Sequence, residues 1–266
     1  MATDAYLLDN RAAEAELRFA ALGAVFDEVT LRHVDALGPA PGWRCWAVGA
    51  GGPSIPDALA ARVAPGGLVV ATDLDTRWLA GRAGGDVEVV QQDVARDDPP
   101  GAGFDLVHAR LVLSHVVARE EALTRMVSAL RPGGWLLVED YDVLLLQWPS
   151  PDEDGPEQRL ADTVKGEFRA LLREHGADPR FGRRLPRLMR AAGLVDVQAD
   201  AYFAVALPTV AALDQANARQ IRDEIVQRGH LSAEDVDAYI ALVADGRLDL
   251  TTPPLVSAWG RRPPED

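Results

Sequence analysis

With 266 residues and 48% hydrophobic content, the chain can bury a sizeable core and is not a disordered segment. A formal net charge of -14 speaks against a nucleic-acid surface, which needs a basic stripe to neutralise phosphates. The single cysteine, Cys45, excludes an intrachain disulfide and reads as a buried structural thiol. No basic-then-apolar leader opens the sequence and no apolar run nears membrane-spanning length, so the expectation is a soluble cytoplasmic protein without membrane contact.

Arg11 to about Leu37 carries apolar residues at helical spacing and predicts two helices with a break near Gly23, ended by Gly38-Pro39-Ala40-Pro41-Gly42. Strands and helices then alternate. Trp46–Val48 is a short buried strand, followed by the glycine turn Gly49-Ala50-Gly51-Gly52 and a helix over Ser54–Val63. The glycines permit tight backbone angles, Ser54 is a suitable N-cap and Pro56 suits the first helical turn. The backbone N–H groups of such a turn favour an anionic group. Leu68–Thr72 is a strand ending on Asp73, Thr76–Ala83 a short helix, and Val87–Gln91 a strand leading to Gln92-Asp93. Phe104–Ala109 is a fourth strand; Arg119–Leu130 is a helix stopped by Arg131-Pro132-Gly133-Gly134; Trp135–Glu139 is a fifth strand. This alternation predicts a parallel sheet with helices on both faces and right-handed crossovers.

After the acidic, proline-rich loop Pro149–Pro156, helices are expected over Glu157–Glu174 and Arg183–Ala192, and a strand over Val195–Val205. Ala211–Arg228 and Ala233–Val243 form a helical insertion before the closing strand Leu255–Trp259. The expected organisation is an N-terminal helical segment (1–41), an α/β core (42–205), a helical lid (206–252), and a closing strand and tail (253–266). The basic cluster Arg180, Arg183, Arg184, Arg187 and Arg190 reads as a solvated helix face.

In an open parallel sheet the ligand sits beyond the carboxyl ends of the strands. The ordered set Val48-Gly49-Ala50-Gly51, Val69-Val70-Ala71-Thr72-Asp73-Leu74-Asp75, Gln92-Asp93-Val94, Phe104-Asp105-Leu106-Val107-His108-Ala109-Arg110 and Leu130-Arg131-Pro132-Gly133-Gly134-Trp135 resembles the S-adenosylmethionine-dependent methyltransferases with the Rossmann-like fold. The resemblance implies a three-layer, seven-stranded, mostly parallel sheet that binds S-adenosyl-L-methionine. It assigns Gly49, Ala50 and Gly51 to the methionine part, Asp73 to the ribose hydroxyls and Leu74 to the adenine ring. Asp93 and the Val94 amide would meet the adenine amino group, with Ala109 and Arg110 near the methyl. Tyr6 would close over the cofactor. One departure stands out: where the family usually has an acid two positions before the first glycine, this chain has Ala47.

His115 is the candidate general base, with Asp140 beside it in the run Glu139-Asp140-Tyr141-Asp142 after the fifth strand. His108 is expected to point into the sheet packing, and alternation predicts that two of the four residues from 139 to 142 are solvated. Trp148, Tyr202, Phe203 and Tyr239 either line an apolar cavity under the lid or belong to the core. No histidine and carboxylate spacing suggests a metal site. The expected function is methyl transfer to a small organic molecule in secondary metabolism, with a homodimer left open. The alternatives are a fold that no longer methylates and serves as a binding or cyclisation scaffold, motivated by Ala47, and a nicotinamide-dependent oxidoreductase. Against the latter, the third glycine of a dinucleotide fingerprint falls on Ser54.

Overall fold

The computed structural model describes residues 7–8, 10, 14–82, 84–144 and 155–265. Tyr6 and Trp148 lie outside these. The elements run α1 (Glu14–Ala36), β1 (Arg44–Val48), α2 (Ser54–Val63), β2 (Leu68–Asp73), β3 (Val87–Gln91), β4 (Phe104–Arg110), α3 (Arg119–Ala129), β5 (Leu130–Tyr141), α4 (Pro156–Glu174), α5 (Phe181–Ala191), β6 (Val195–Tyr202), α6 (Pro208–Gln227), α7 (Ala233–Ala244) and β7 (Leu255–Arg261). Single 3₁₀ turns cover Ala80–Arg82 and Leu113–His115.

The seven strands form one sheet in the order β3-β2-β1-β4-β5-β7-β6. The first five are parallel, and β7 runs antiparallel between β5 and β6. Helices cover both faces, so the central strands are apolar on both sides rather than alternating. One core cluster holds Trp46, Phe104, Leu136 and Met126 on the α3 side; another holds Cys45, Leu59, Val69 and Leu137 on the α2 side. A third joins α1, α4, α6 and α7 through Phe26, Val164, Ile221 and Tyr239. The helical layer above the strand ends therefore draws on four helices, not only on residues 206–252.

Several boundaries differ from expectation. Helix α1 passes through Gly23 without a break, because Val25, Phe26 and Val29 bury one continuous apolar face. The expected helix over 76–83 is only the 3₁₀ turn at Ala80–Arg82. Ser54 is the first helical residue of α2; the cap is Pro53, which makes no side-chain cap bond. The Pro132-Gly133-Gly134 segment is absorbed into β5, with a register shift against β4 between Phe104 and Leu106. There Gly133 takes φ 74°, and a Cβ on Gly134 would sit 2.7 Å from the Phe104 carbonyl oxygen. The edge strand β6 stops at Tyr202 and is largely exposed.

Candidate active site

A cavity of about 1040 Å³ lies over the carboxyl ends of β1, β2 and β4, roofed by α1, α4 and α6. That is the upper end of the range of about 300–1000 Å³ for a pocket holding one drug-sized ligand. Its floor is the glycine turn. Gly49 and Gly51 take φ values of 57° and 64°. An added Cβ would lie 2.4 Å from a Val112 methyl carbon at Gly49 and 2.5 Å from the Phe19 ring at Gly51, so both positions need glycine on two grounds.

Asp73 closes β2 and is 6% exposed, with its carboxylate on the cavity. Oδ2 accepts from the Gly51 amide at 2.8 Å, and Oδ1 from the Asp75 amide at 3.1 Å and the Asn10 side chain at 3.2 Å. The free N–H of the turn thus finds its anion within the chain. This bond ties the glycine turn to β2, while position 47 holds a buried alanine. Burial pushes the Asp73 pKa up, against these hydrogen bonds, which pull it down. Asn10 is itself gripped by Arg18 at 2.7 Å, and its carbonyl accepts from the Trp78 indole at 2.8 Å.

Leu74, 55% exposed, and Asp93 and Val94 line the same cavity. Asp93 Oδ1 accepts from the Ala95 amide at 2.9 Å. Beside it, Gln92 donates to the Asp98 carbonyl at 2.7 Å, while its own Oε1 is buried with no hydrogen-bond partner. The sequence gives no role at the site to Asn10, Arg18 or Phe19, and none to Gln92 beyond its place in the Gln92-Asp93-Val94 motif; only the folded chain brings them together.

At the end of β4 the strand alternation reverses one expectation. His108 is buried within the sheet packing, 3.2 Å from Glu139, and borders the cavity with Arg110, whereas Ala109 faces the α3-side core and does not reach it. Arg110 donates to Asp27 at 2.8 Å and to Thr30 at 2.9 Å. Leu111 follows with φ 57°, a left-handed conformation costly for a leucine, held by its amide donating to the Glu139 carbonyl at 2.8 Å.

The run from 139 to 142 is also unlike its expectation. Glu139, Asp140 and Asp142 are all fully buried, because α1 covers one face of β5 and the segment around Ser114 and α5 covers the other. Asp140 does not line the cavity. It accepts from the Ser114 amide at 2.9 Å, and burial pushes its pKa up to about 6. It therefore holds the 3₁₀ turn that carries His115. His115 is half-buried and on the cavity; burial and the nearby guanidinium groups of Arg18 and Arg119 lower its pKa to about 4, leaving it neutral at pH 7. Glu139 accepts from Thr30 at 2.6 Å and Ser257 at 2.7 Å and meets His108 at 3.2 Å. Burial alone would raise its pKa, but hydrogen bonding to His108 and His33 and the charge of Arg110 hold it far below the carboxylate range.

Two further readings change. In the basic cluster, Arg183 chelates the buried Asp142 and Arg184 binds Asp178 and Glu120, so this face is structured by ion pairs rather than simply solvated. The aromatic residues on the cavity are Phe19, Trp78, Tyr141 and Phe168. Tyr239 is core, Tyr202 packs edge-on against Phe26, and Phe203 is exposed. Cys45 is fully buried and its thiol pKa is pushed up to about 12. Among the described residues there is no cluster of metal-ligating side chains, and no helix is long and apolar enough to cross a membrane.

Residues 86–199 match the family model described as a methyltransferase domain. The chain is 38% identical over 96 residues to "Methyltransferase str3" of Strobilurus tenacellus, covering 35% of this chain and 31% of that one. It is 32% identical over 116 residues to the "Ubiquinone/menaquinone biosynthesis C-methyltransferase UbiE" of Ectopseudomonas mendocina, covering 41% and 45%. The chain thus matches about a third to a half of the length of these curated relatives. Among solved structures, a phosphoethanolamine N-methyltransferase 2 of Haemonchus contortus, in complex with phosphomonomethylethanolamine and S-adenosylhomocysteine, superposes with a TM-score of 0.60 at 15% identity. That superposition covers 100% of this chain and 61% of the other. The strand order and the superposition show a Rossmann-like methyltransferase fold, and residues 86–199 are similar to a methyltransferase domain.

Proposed function

We propose that this chain transfers a methyl group from S-adenosyl-L-methionine to a small organic acceptor in cytoplasmic secondary metabolism. The observation that carries the reading is Asp73: a buried carboxylate at the end of β2, aimed into the cavity and locked to the glycine turn. A carboxylate there can accept from both hydroxyls of a ribose. The orphaned Gln92 Oε1, next to Asp93, is an acceptor in want of a donor, and the adenine amino group would supply one. Leu74, exposed within the cavity, offers an apolar face for the adenine ring. Gly49, Ala50 and Gly51 line the cavity along the turn, where the methionine part would run. These features fit the cofactor in spite of Ala47, since Asp73 steadies the turn from the neighbouring strand.

The bound cofactor supplies an electrophilic methyl group on a sulfonium. The protein's remaining task is to align an acceptor in line with the bond to be broken and to exclude water. The helical roof and Phe168, Tyr141 and Leu172 provide the dry wall. His115 stands on the cavity as the residue that would take the proton of an acceptor hydroxyl, and the Asp140–Ser114 bond fixes the turn from which it acts.

Calorimetry with S-adenosylmethionine and S-adenosylhomocysteine, and NADH as control, tests the reading. Both sulfur compounds should bind and NADH should not. Asp73→Ala should weaken them by about 100-fold or more, the loss expected when two charge-assisted hydrogen bonds go. Binding of neither compound would refute the cofactor assignment. Binding without turnover of any acceptor would point to a scaffold that has lost methylation.

A further inference from the structure

The part of the cavity lining that α4, α6 and the segment before β7 supply carries polar groups that the cofactor reading does not use. On α4, Lys165, Phe168, Arg169 and Leu172 follow i, i+3, i+4, i+7 spacing, so one stripe of the helix faces the cavity. On α6 the same spacing places Val210, Leu213, Asp214 and Asn217 on it, and Thr251 lies on the approach to β7. Most of this surface is apolar, so each polar group on it needs a partner.

Within the set, one ion pair is internally complete. Asp214 accepts from Lys165 and from the hydroxyl of the buried Tyr239, so its charge is matched inside the fold. Arg169 is different. It is half-buried on the cavity and makes no hydrogen bond or ion pair among the described residues. Lys165 and Asp214 cancel, and Arg169 leaves one positive charge on this wall of a strongly acidic protein. Two more groups are incomplete: the Asn217 side-chain oxygen and Thr251 Oγ1 are both buried with no hydrogen-bond partner. The first requires a donor; the second can give or take one hydrogen bond.

We propose that this wall is the acceptor-recognition subsite, and that it selects a molecule with an apolar body carrying one carboxylate and a hydroxyl. Arg169 pairs with the carboxylate, and Asn217 and Thr251 take the hydroxyl. Phe168, Leu172 and Leu213 cover the body. A guanidinium suits a carboxylate because its planar fork makes two parallel hydrogen bonds, and a partly desolvated one gains more from the match than a surface arginine does. The cavity volume leaves space for such a molecule beside a cofactor at the glycine turn. This substrate class rests on the methyltransferase reading, but the subsite itself can be tested apart from it.

The test uses 3-hydroxy-2-naphthoate, its methyl ester and 2-naphthoate as probes, titrated by calorimetry into the whole protein with and without saturating S-adenosylhomocysteine. The acid should bind about tenfold or more tightly than the ester, as expected for a charge-assisted bidentate pair. Arg169→Gln should remove that difference while leaving S-adenosylhomocysteine binding within about twofold. Asn217→Leu should instead remove the advantage of the hydroxylated acid over 2-naphthoate. Equal binding of acid and ester, an acid preference that survives Arg169→Gln, or no binding of any probe would overturn the proposal. Failure of S-adenosylhomocysteine alone to bind, with the acid preference intact in its absence, would overturn the cofactor reading and leave the subsite standing.

Discussion

At the scale of single residues, the site depends on positions where a small change of backbone or charge has no room for adjustment. Gly51 combines φ 64° with the Phe19 ring 2.5 Å from where a Cβ would sit, whereas Gly38, at φ 71°, has open space around it. Gly38→Ala should therefore cost about 1 kcal/mol from backbone strain alone, and Gly51→Ala about 2–4 kcal/mol. Urea denaturation of the two variants checks the difference, and only Gly51→Ala should also weaken S-adenosylhomocysteine binding. Asp73 was legible in the sequence because it follows a strand after a glycine turn, and that order alone fixes it at the sheet's carboxyl edge. The resemblance puts Ala109, and position after the fifth strand puts Asp140, at the site, but side-chain direction alternates along a strand, and it turns both away. Arg169 has no signal in the sequence beyond being one arginine among many on a helix.

At the scale of elements, α1 is fastened to the sheet through a buried polar knot rather than by apolar contact alone. Thr30 donates to Glu139 across 109 residues of sequence, Ser257 donates from β7, and His33 and His108 approach the same carboxylate. Glu139→Ala would strand these groups together, and a loss of about 3–5 kcal/mol in chemical denaturation is expected, as for the breaking of a buried charged pair. By contrast, the capping box of α7, in which Ser232 and Asp235 bond reciprocally, is local and exposed. Ser232→Ala should cost only about 1 kcal/mol by the same measurement. The sequence showed most of the elements because propensity and periodicity act over a few residues. It missed the continuity of α1 through Gly23, since the apolar face that holds the helix together is satisfied by residues of α4, α6 and α7 far away in sequence.

For the whole molecule, the buried titratable groups set how stability responds to pH. The Asp140 pKa is raised from 3.8 to about 6, so the folded state favours the protonated acid. Its contribution is full below its unfolded value and is lost as pH rises through about 6. His33 acts in the same direction. Burial pulls its pKa down, but bonding to Glu139 and Asp200 raises it on balance, so its stabilisation fades as pH rises through the folded value. His115 opposes them: lowered to about 4, it stabilises the fold above its unfolded pKa and loses that contribution as pH falls toward about 4. These slopes oppose one another, and variants should separate them. Between pH 4 and pH 6 the stability of wild type relative to Asp140→Asn should fall by at most about 3 kcal/mol, the worth of that displacement in pKa. Thermal unfolding across this range checks it, and a pH-independent difference would show that Asp140 keeps an ordinary pKa.

The sequence by itself determined the alternation of strands and helices, the glycine turn and the aspartate at the end of β2, because each is written in residues a few positions apart. The tertiary structure alone decided which residues share the cavity. Asn10 meets Asp73 across 63 residues, and Arg169, Asn217 and Thr251 line one cavity from three separate segments. It also decided that Glu139 and Asp140 are both buried, one serving the α1 side of the sheet and the other the turn that carries His115. Local chemistry specifies the elements; the convergence of side chains depends on which faces those elements bury against one another, and no short window of sequence contains that.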